Sequence, residues 1–488
     1  MNRKKFITKL SLGSGAIALA PVLSGCDLEE ITVFDEFTLP LQFPNLIEDA
    51  NFSITATNQE YKIGNEFQVS GFQFNRSYPA PTIKSRKGNA INVQFNNEIG
   101  QDSVIHWHGL VVPPEMDGHP RNVISSGSYN YQFMINQRAG TYWYHPHPHR
   151  LTGEQVYKGL AGFFIVEDDE EASLNLPEDE FEIPLLIQDR RISSSGEIIY
   201  NPSMPEQMMT GFLGDQILIN GVPTPYHNVK KGTYRLRILN GSNARIYNIA
   251  FQNETPFTVI GSDGGLLPKA VDVNSLLLAP GERSDILVDF SRFSVKTASL
   301  QSLTFELPSG GGMMNGMGNM MGSGGHEQGS GFSLMEFRIA DENIDTSFTL
   351  PYRLSESTFP DLNDAETTRR ISLNMQMMQG HTINGKQFEM DRVDQQVKQG
   401  STEIWEFVNE SNTPHPMHIH AVQFKVIERT GNRGLTAAET GWKDTVLVMP
   451  GETVKAIMKF DAPKGVYVFH CHNLEHEDSG MMANFEII

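Results

Sequence analysis

His470-Cys471-His472-Asn473-Leu474-Glu475-His476-Glu477-Asp478-Ser479-Gly480-Met481 places a thiol, a thioether and three imidazoles within twelve residues. His476 stands five positions after Cys471, and Met481 five after that. A cysteine with histidines and a weak axial methionine is the donor set of a blue-copper electron-transfer site. Taken alone, the stretch is also open to reading as a terminal strand with incidental histidines, or as a structural zinc site. On a strand, His470 and His472 point to one side and Cys471 to the other.

The same two-residue spacing recurs upstream. His106 and His108 stand in His106-Trp107-His108-Gly109, and His145 and His147 in Trp143-Tyr144-His145-Pro146-His147. His418 and His420 stand in Thr413-Pro414-His415-Pro416-Met417-His418-Ile419-His420. With His470/His472 these make four pairs, each presenting two imidazoles to one strand face. Eight imidazoles are too many for one zinc, which takes about four ligands, and suit a cluster of about three metals with open positions for a small ligand. Cys471 then faces a separate metal behind the cluster, joined to it through adjacent residues. His415 and His476 remain to complete the cysteine site, which assigns ten of the 15 histidines.

The rest of the chain reads as β structure. Ala90-Ile91-Asn92-Val93-Gln94-Phe95 alternates apolar and polar residues as a half-buried strand does. Thr233–Gly241 and Val454–Phe460 are further strand candidates, and Pro79-Ala80-Pro81 and Lys87-Gly88-Asn89 punctuate turns. With 488 residues, 43 glycines and 26 prolines, the chain is expected to fold as several all-β sandwiches or barrels. The expected division is an export segment over 1–26, then domains over 27–170, 171–340 and 341–488. An acidic joint, Glu167-Asp168-Asp169-Glu170-Glu171, closes the first. The second has no clustered histidines and reads as a scaffold, with a Gly/Met-rich loop over 309–331. The motifs lie at opposite ends of the chain, so a joint site requires the first and third blocks to meet. A formal charge of −20 argues against nucleic acid as a partner.

Arg3, Lys4 and Lys5 followed by an apolar stretch to Leu23 form an export signal. Arg3-Lys4-Lys5-Phe6-Ile7 is a weakened twin-arginine pattern. Leu23-Ser24-Gly25-Cys26 resembles a bacterial lipobox, in which the cysteine is lipidated; an ordinary secretory peptide is the alternative. The mature protein is expected outside the cytoplasm, in the periplasm or cell envelope, as a monomer with a possible lipid anchor through Cys26. With Cys26 and Cys471 as the only cysteines, no disulfide framework is expected.

The four segments, HWHG, WYHPH, HPMHIH and HCHNLEHEDSGMM, resemble the copper signatures of the multicopper oxidases. The mature chain is similar to the three-domain form of that family. Its nearest likeness is to the copper-efflux (cuprous) oxidase and bacterial laccase types, seen also in Ile260–Pro268 and Gly441–Val446. The resemblance implies three cupredoxin-like Greek-key domains and four copper ions. By that likeness His415, Cys471 and His476 hold a type 1 copper with Met481 axial, and His106 and His418 a type 2 copper. His108, His145 and His472 hold one type 3 copper, and His147, His420 and His470 the other. The implied reaction couples four one-electron oxidations at type 1 to reduction of dioxygen to water. His149 falls outside this set. His119, His227, His326 and His381 read as surface or hydrogen-bonded histidines.

Oxygen reduction consumes protons, and Asp117 and Glu477 match the family's acidic positions as relays. Asp444 is a candidate to orient a type 1 histidine. Soft thioethers select Cu(I), and Met313, Met314, Met317, Met320, Met321 and Met375 are the candidate residues for cuprous substrate, with a role in copper tolerance. An incidental methionine-bearing linker is the competing reading. Ser411 and Thr413 stand where the cuprous oxidase has an acid and a methionine, which keeps laccase-like oxidation of phenols or aromatic amines open. A copper-sequestering protein or electron carrier is a third class, but such a protein has no use for four histidine pairs.

Overall fold

The computed structural model describes residues 36–488 apart from 64–66, 308–325, 345–347, 357, 377–379 and 432. The export segment with Cys26, and Met313, Met314, Met317, Met320 and Met321, lie outside the described residues.

The alternation at Ala90 is realised in the strand Ala90–Glu98, whose odd-numbered face (Ile91, Val93, Phe95 and Asn97) is buried. It pairs with Asn51–Ile63 on one side and Gly127–Met134 on the other. A second sheet faces it, running in the order Leu46–Ile47, Thr82–Arg86, Gly162–Glu167, Gly140–Pro146, Ile105–His108. Neighbouring strands in this order are mostly not neighbours in the chain, as in Greek-key sandwiches. Between the sheets lies a core that includes Trp107, Tyr131, Tyr142, Tyr144 and Phe164.

The third sandwich repeats the plan. One sheet runs Gly380–Ile383, Ala365–Gln376, Thr402–Asn409, Thr453–Lys459, Phe424–Arg429. The other runs Gln395–Val397, Met482–Ile487, Gly465–Cys471, His415–Ile419, Thr445–Val448. Cys471 and Met481 both belong to the core between them, with Trp405, Phe407, Phe469 and Phe485. The middle sandwich packs a sheet containing Thr233–Asn240 against one containing Phe332–Asn343. The chain thus has three cupredoxin-like β sandwiches, with few and short helices among the described residues.

The acidic joint does more than close the first sandwich. Asp168 caps the short helix Asp169–Ala172 by accepting from the Glu171 N–H. Glu171 itself is buried and accepts from Arg235 at 2.8 Å and from Arg237 at 3.0 Å, both on the middle sandwich. Asp285 accepts from the same two arginines at 2.6 and 3.0 Å. Removing one partner from such a buried set leaves an uncompensated charge, a loss of roughly 3–5 kcal/mol. The network fixes the middle sandwich against the first.

Candidate metal centres

All eight paired imidazoles come together, and all are fully buried. Strand register makes the first contacts. His106 lies directly opposite His145, and His418 directly opposite His470, in two antiparallel pairs. The pairs from the first and third sandwiches then meet face to face. His106 stacks on His420 with ring centroids 3.6 Å apart, and His108 on His418 at 3.7 Å. His472 lies 4.9 Å from the His108 ring and 5.4 Å from that of His145.

Nitrogen–nitrogen approaches sort the rings into three groups. His106 Nε2 faces His418 Nε2 at 3.3 Å. His108 Nδ1 faces His145 Nε2 at 3.4 Å. His470 Nε2 faces both His147 Nε2 at 3.2 Å and His420 Nε2 at 3.1 Å. Both ring nitrogens of His472 and Nδ1 of His147 have no hydrogen-bond partner.

The far side of each ring decides what these approaches mean. His106 Nδ1 donates to the Asp117 carbonyl at 2.7 Å, His418 Nδ1 to the Asp444 carbonyl at 2.9 Å, and His145 Nδ1 to the Pro146 carbonyl at 2.9 Å. His470 Nδ1 lies 3.1 Å from the Cys471 carbonyl and 3.0 Å from a Glu477 carboxylate oxygen. His420 Nδ1 sits 2.7 Å from Asp117 Oδ2. A neutral imidazole carries one N–H, so each of these rings turns a lone pair toward its neighbours. Burial, the largest influence, holds the pKa of His106, His418 and His420 well below the ordinary range, so protonation does not relieve the repulsion. Lone pairs facing one another at 3.1–3.4 Å are the signature of a site built for cations. The residues present therefore fit a metal cluster.

His108 is held the other way round. Its Nε2 faces Asp444 Oδ1 at 3.1 Å and Thr445 Oγ1 at 3.2 Å, which frees Nδ1 for the cluster. Asp444 therefore supports histidines of the eight-ring cluster, His108 and His418, and not the cysteine pocket as the sequence suggested. Asp444 in turn accepts two hydrogen bonds from Arg283 of the middle sandwich, at 2.7 and 2.6 Å. The glycine of HWHG is required here. Gly109 has φ +88°, and a Cβ on it would sit 2.6 Å from Asp444 Oδ2 and 2.7 Å from Arg283 Nη2. The scaffold block thus supplies a buried charge to the cluster while contributing no histidine to it.

Cys471 faces the opposite way, as the strand alternation requires. His415 Nδ1 is 3.4 Å and His476 Nδ1 3.7 Å from its sulfur, and the two nitrogens are 3.2 Å apart. The Ser411 hydroxyl lies 2.7 Å from His415 Nε2, and the Met209 carbonyl 3.3 Å from His476 Nε2. Both partners turn the Nδ1 lone pairs toward sulfur. Met481 is fully buried in the same core, and its carbonyl accepts from the Cys471 N–H at 3.0 Å. Burial pushes the Cys471 thiol well above its usual pKa, so a bound cation is needed to hold it as thiolate.

Asp117 and Glu477 flank the eight-ring cluster. Besides its contact to His470, Glu477 lies 3.5 Å from His147 Nε2. Burial raises the Asp117 pKa well above the usual carboxylate range. Burial acts on Glu477 too, but the facing His470 and His147 outweigh it and hold the group low, at about 2. Glu477 is delivered by the short helix Leu474–Asp478, whose cap is the Asn473 side chain accepting from the His476 N–H. The helix ties all three blocks together. Glu475 accepts from Phe212 N at 2.9 Å and Asn243 Nδ2 at 2.8 Å, while Asp478 accepts from Thr152 N at 3.1 Å and Gly153 N at 2.8 Å.

The remaining histidines divide. His149 is half-buried against Phe388 and stays outside the cluster. His119 is buried and hydrogen-bonded to Asn484 at 2.8 Å. His227 is half-buried and His326 exposed, the latter stacked on Phe332. His381 departs from a surface reading, though the backbone of Gln207 and Met208 lies within reach of its ring. It is fully buried, stacks on His476 at 3.8 Å, and its nitrogens form no well-shaped hydrogen bond. It sits directly across a strand pair from Met375, which is half-buried. Met375 is thus the one cuprous-substrate candidate among the described residues, and it stands beside the cysteine pocket. Ser411, Arg283 and His381 were missed as site residues; Arg283 and His381 act on partners remote in the sequence, whereas Ser411 acts on His415 only four residues on.

Sequence models of multicopper oxidase domains match residues 55–171, 199–323 and 361–488. The chain is 32% identical over 479 residues to a laccase of Bacillus subtilis, covering 85% of this chain and 89% of that protein. It is similar in structure to the McoA multicopper oxidase of the hyperthermophile Aquifex aeolicus, with a TM-score of 0.83 and 39% identity over 93% of this chain and 100% of the other. A multicopper oxidase of Campylobacter jejuni described as a metallo-oxidase aligns with a TM-score of 0.81 and 28% identity, over 96% and 99% of the two chains.

Proposed function

The chain belongs to the multicopper oxidase family, and on that footing we propose that it is a cuprous oxidase: it takes electrons one at a time from Cu(I) and passes them to dioxygen. The observation that carries the oxidase reading is the set of buried imidazole lone pairs turned on one another, with Cys471 on the reverse of the same strand. In this reading His415, Cys471 and His476 would hold the type 1 copper with Met481 axial, and His106 and His418 the type 2 copper. His108, His145 and His472 would hold one type 3 copper, and His147, His420 and His470 the other. Bound there, four coppers would supply the redox chemistry by which dioxygen, four electrons and four protons become two waters.

The protein's own part is to hold donors, exclude water and move protons. Asp117 keeps its proton through burial; with Oδ2 accepting from the His420 Nδ1–H, that proton sits on Oδ1, which has no hydrogen-bond partner, and Asp117 serves as the proton donor on one side of the cluster. Glu477 stays ionised against His470 and His147 and serves as the acceptor and carrier on the other. The Cys471 sulfur and the His470 ring belong to adjacent residues, tied again by the contact from His470 Nδ1 to the Cys471 carbonyl.

Two observations support Cu(I) as the reductant. His476 is fully buried, with its outer nitrogen taken by the Met209 carbonyl at 3.3 Å, which closes that edge to a phenol ring. Met375 offers a thioether at the margin of the same pocket, and thioethers favour Cu(I). The second reading, a laccase-like oxidase of phenols or aromatic amines, is favoured by the relative named as a laccase. Placement at the cell envelope through a lipidated Cys26, action as a monomer and service in copper tolerance belong to the same proposal.

The test compares kcat/KM for Cu(I) and for a phenol, by oxygen uptake, in the parent and in a variant lacking 310–325. Cuprous oxidation is expected to be the faster reaction in the parent and to fall further on deletion. Equal losses for both substrates defeat the cuprous reading and leave the laccase. A blue protein that consumes no oxygen with either reductant defeats the oxidase.

A further inference from the structure

We propose that Glu206 determines the specificity of the oxidase: with Arg191 it latches the strap 202–211 over the outer edge of His476, so that Cu(I) serves as reductant and an aromatic molecule is kept off. The inference rests on the cuprous reading above and names the element that enforces it. None of residues 201–210 is buried, yet beneath them lie two fully buried rings, His476 and His381. The Met209 carbonyl accepts from His476 Nε2 at 3.3 Å, and the backbone of Gln207 and Met208 lies within reach of the His381 ring. The two rings stack on one another at 3.8 Å. Backbone from three successive residues of the middle block therefore roofs the pair.

Polar contacts hold the strap. The Gln207 N–H donates to the Ser203 carbonyl at 2.9 Å, and the Gly211 N–H reaches five residues back to the Glu206 carbonyl at 2.8 Å. Such a wide π-turn is rare and occurs mostly at functional sites. The Glu206 carboxylate gathers the fixings. One oxygen accepts from the Ser203 N–H and hydroxyl at 2.7 and 2.6 Å, and the other from Arg191 Nη2 at 2.6 Å. Arg191 is anchored in turn: its Nε donates to the Leu213 carbonyl at 2.9 Å, and its guanidinium lies 4.1 Å from the Phe212 ring centroid. Asn473 adds a longer contact, 3.4 Å to the Thr210 carbonyl. Gly211 turns the chain at the far end with φ +76°, where a Cβ would sit 2.1 Å from that of Ala244. With no buried side chain in 201–210 to hold it down, the turn is released about Gly211 once the Glu206 carboxylate is lost. The roof also fits one reductant better than the other. A phenol gives up its electron at the edge of His476 that the Met209 carbonyl occupies. Cu(I) prefers thioethers, and the strap carries Met204, Met208 and Met209, the first exposed and the others half-buried.

The experiment pairs a specificity ratio with a measure of opening. On the copper-loaded, full-length protein, kcat/KM for Cu(I) and for a methoxy-substituted phenol is read by oxygen uptake, and amide hydrogen exchange is followed over 203–211. E206A is expected to raise the phenol-to-Cu(I) ratio at least about tenfold and to speed exchange over 203–211 by a similar factor, with the strand Gln216–Ile219 unchanged. R191M removes the latch from its other side and should move both readouts the same way. An unchanged ratio in either variant, or exchange over 203–211 as slow as the parent's, overturns the inference. So does a parent whose 203–211 amides exchange as fast as free peptide, a result that needs no variant to fold. A parent that oxidises the phenol faster than Cu(I) defeats the cuprous reading instead, and the shift of the ratio in E206A still decides the latch.

Discussion

Replacing Arg283 by methionine tests how the scaffold block reaches the cluster. Arg283 is fully buried, and its guanidinium makes five hydrogen bonds: to the carbonyls of Thr141, Gly281 and Asp263 at 2.9, 3.0 and 2.8 Å, and to Asp444 at 2.7 and 2.6 Å. Methionine fills much of the volume but leaves the Asp444 carboxylate buried with His108, Thr445 and, at 3.6 Å, His418 Nδ1 to face it, and no guanidinium. The expected loss in the copper-free protein is about 3–5 kcal/mol, read from denaturant unfolding. In the same variant Asp444 is no longer clamped in place against His108 Nε2, and copper affinity at the cluster is expected to fall about 10–100-fold, read by chelator competition. The double variant R283M/D444L removes the orphaned charge along with its partner. It should recover much of the stability, giving a coupling of about 2–3 kcal/mol between the two sites, but none of the copper affinity. Strictly additive losses, within about 0.5 kcal/mol, refute the claim that Arg283 acts through Asp444.

D117N keeps an acceptor for His420 Nδ1 but has no proton to give. Oxygen consumption should slow by about 10²–10⁴-fold while anaerobic bleaching of the blue band by reductant stays fast; equal slowing of both assigns Asp117 a structural role. Burial pushes the Glu475 carboxyl up to about 7 despite hydrogen bonds from Asn243, Phe212 and Tyr200. Its folded pKa is thus raised above the ordinary 4.5, so the copper-free fold loses stability from this group as pH rises from about 4.5 to about 7, by up to about 3 kcal/mol. E475Q should flatten that part of the melting-temperature profile, and a profile that keeps the parent's slope rejects the assignment. S411A removes the acceptor at His415 Nε2, leaving Thr413 Oγ1 at 3.4 Å as a poor substitute. Copper in the cysteine pocket should be lost about tenfold faster in a chelator challenge, with cluster copper unaffected.

What could be read in advance was whatever strand periodicity carries. The alternation at Ala90, the paired histidines on common faces and the reversal of Cys471 all follow from a two-residue repeat. Contacts between remote segments had no such signal. Asp444 read as a candidate to orient a type 1 histidine, yet strand pairing sets Thr445 opposite His418, and the Asp444 carboxylate reaches His108 in the first block. His381 stands alone in Gly380-His381-Thr382, with nothing local to mark it. Only the cross-sandwich approach to His476 gives it meaning. Ser411 read as a missing acid, and its hydroxyl takes the same edge of His415 that any acceptor there would take.

The stacking of His106 on His420 and His108 on His418 joins strands made far apart in time, since His106 and His418 are 312 residues apart. During synthesis the first block emerges with four imidazoles on an open face, and the ribosome has most of the chain still to add. Any nascent or clipped polypeptide that lacks the third block is then a chelator with no outlet for electrons. Order of assembly therefore matters as much as the finished geometry, and a chain kept away from metal until its two ends have closed avoids arming half a catalyst.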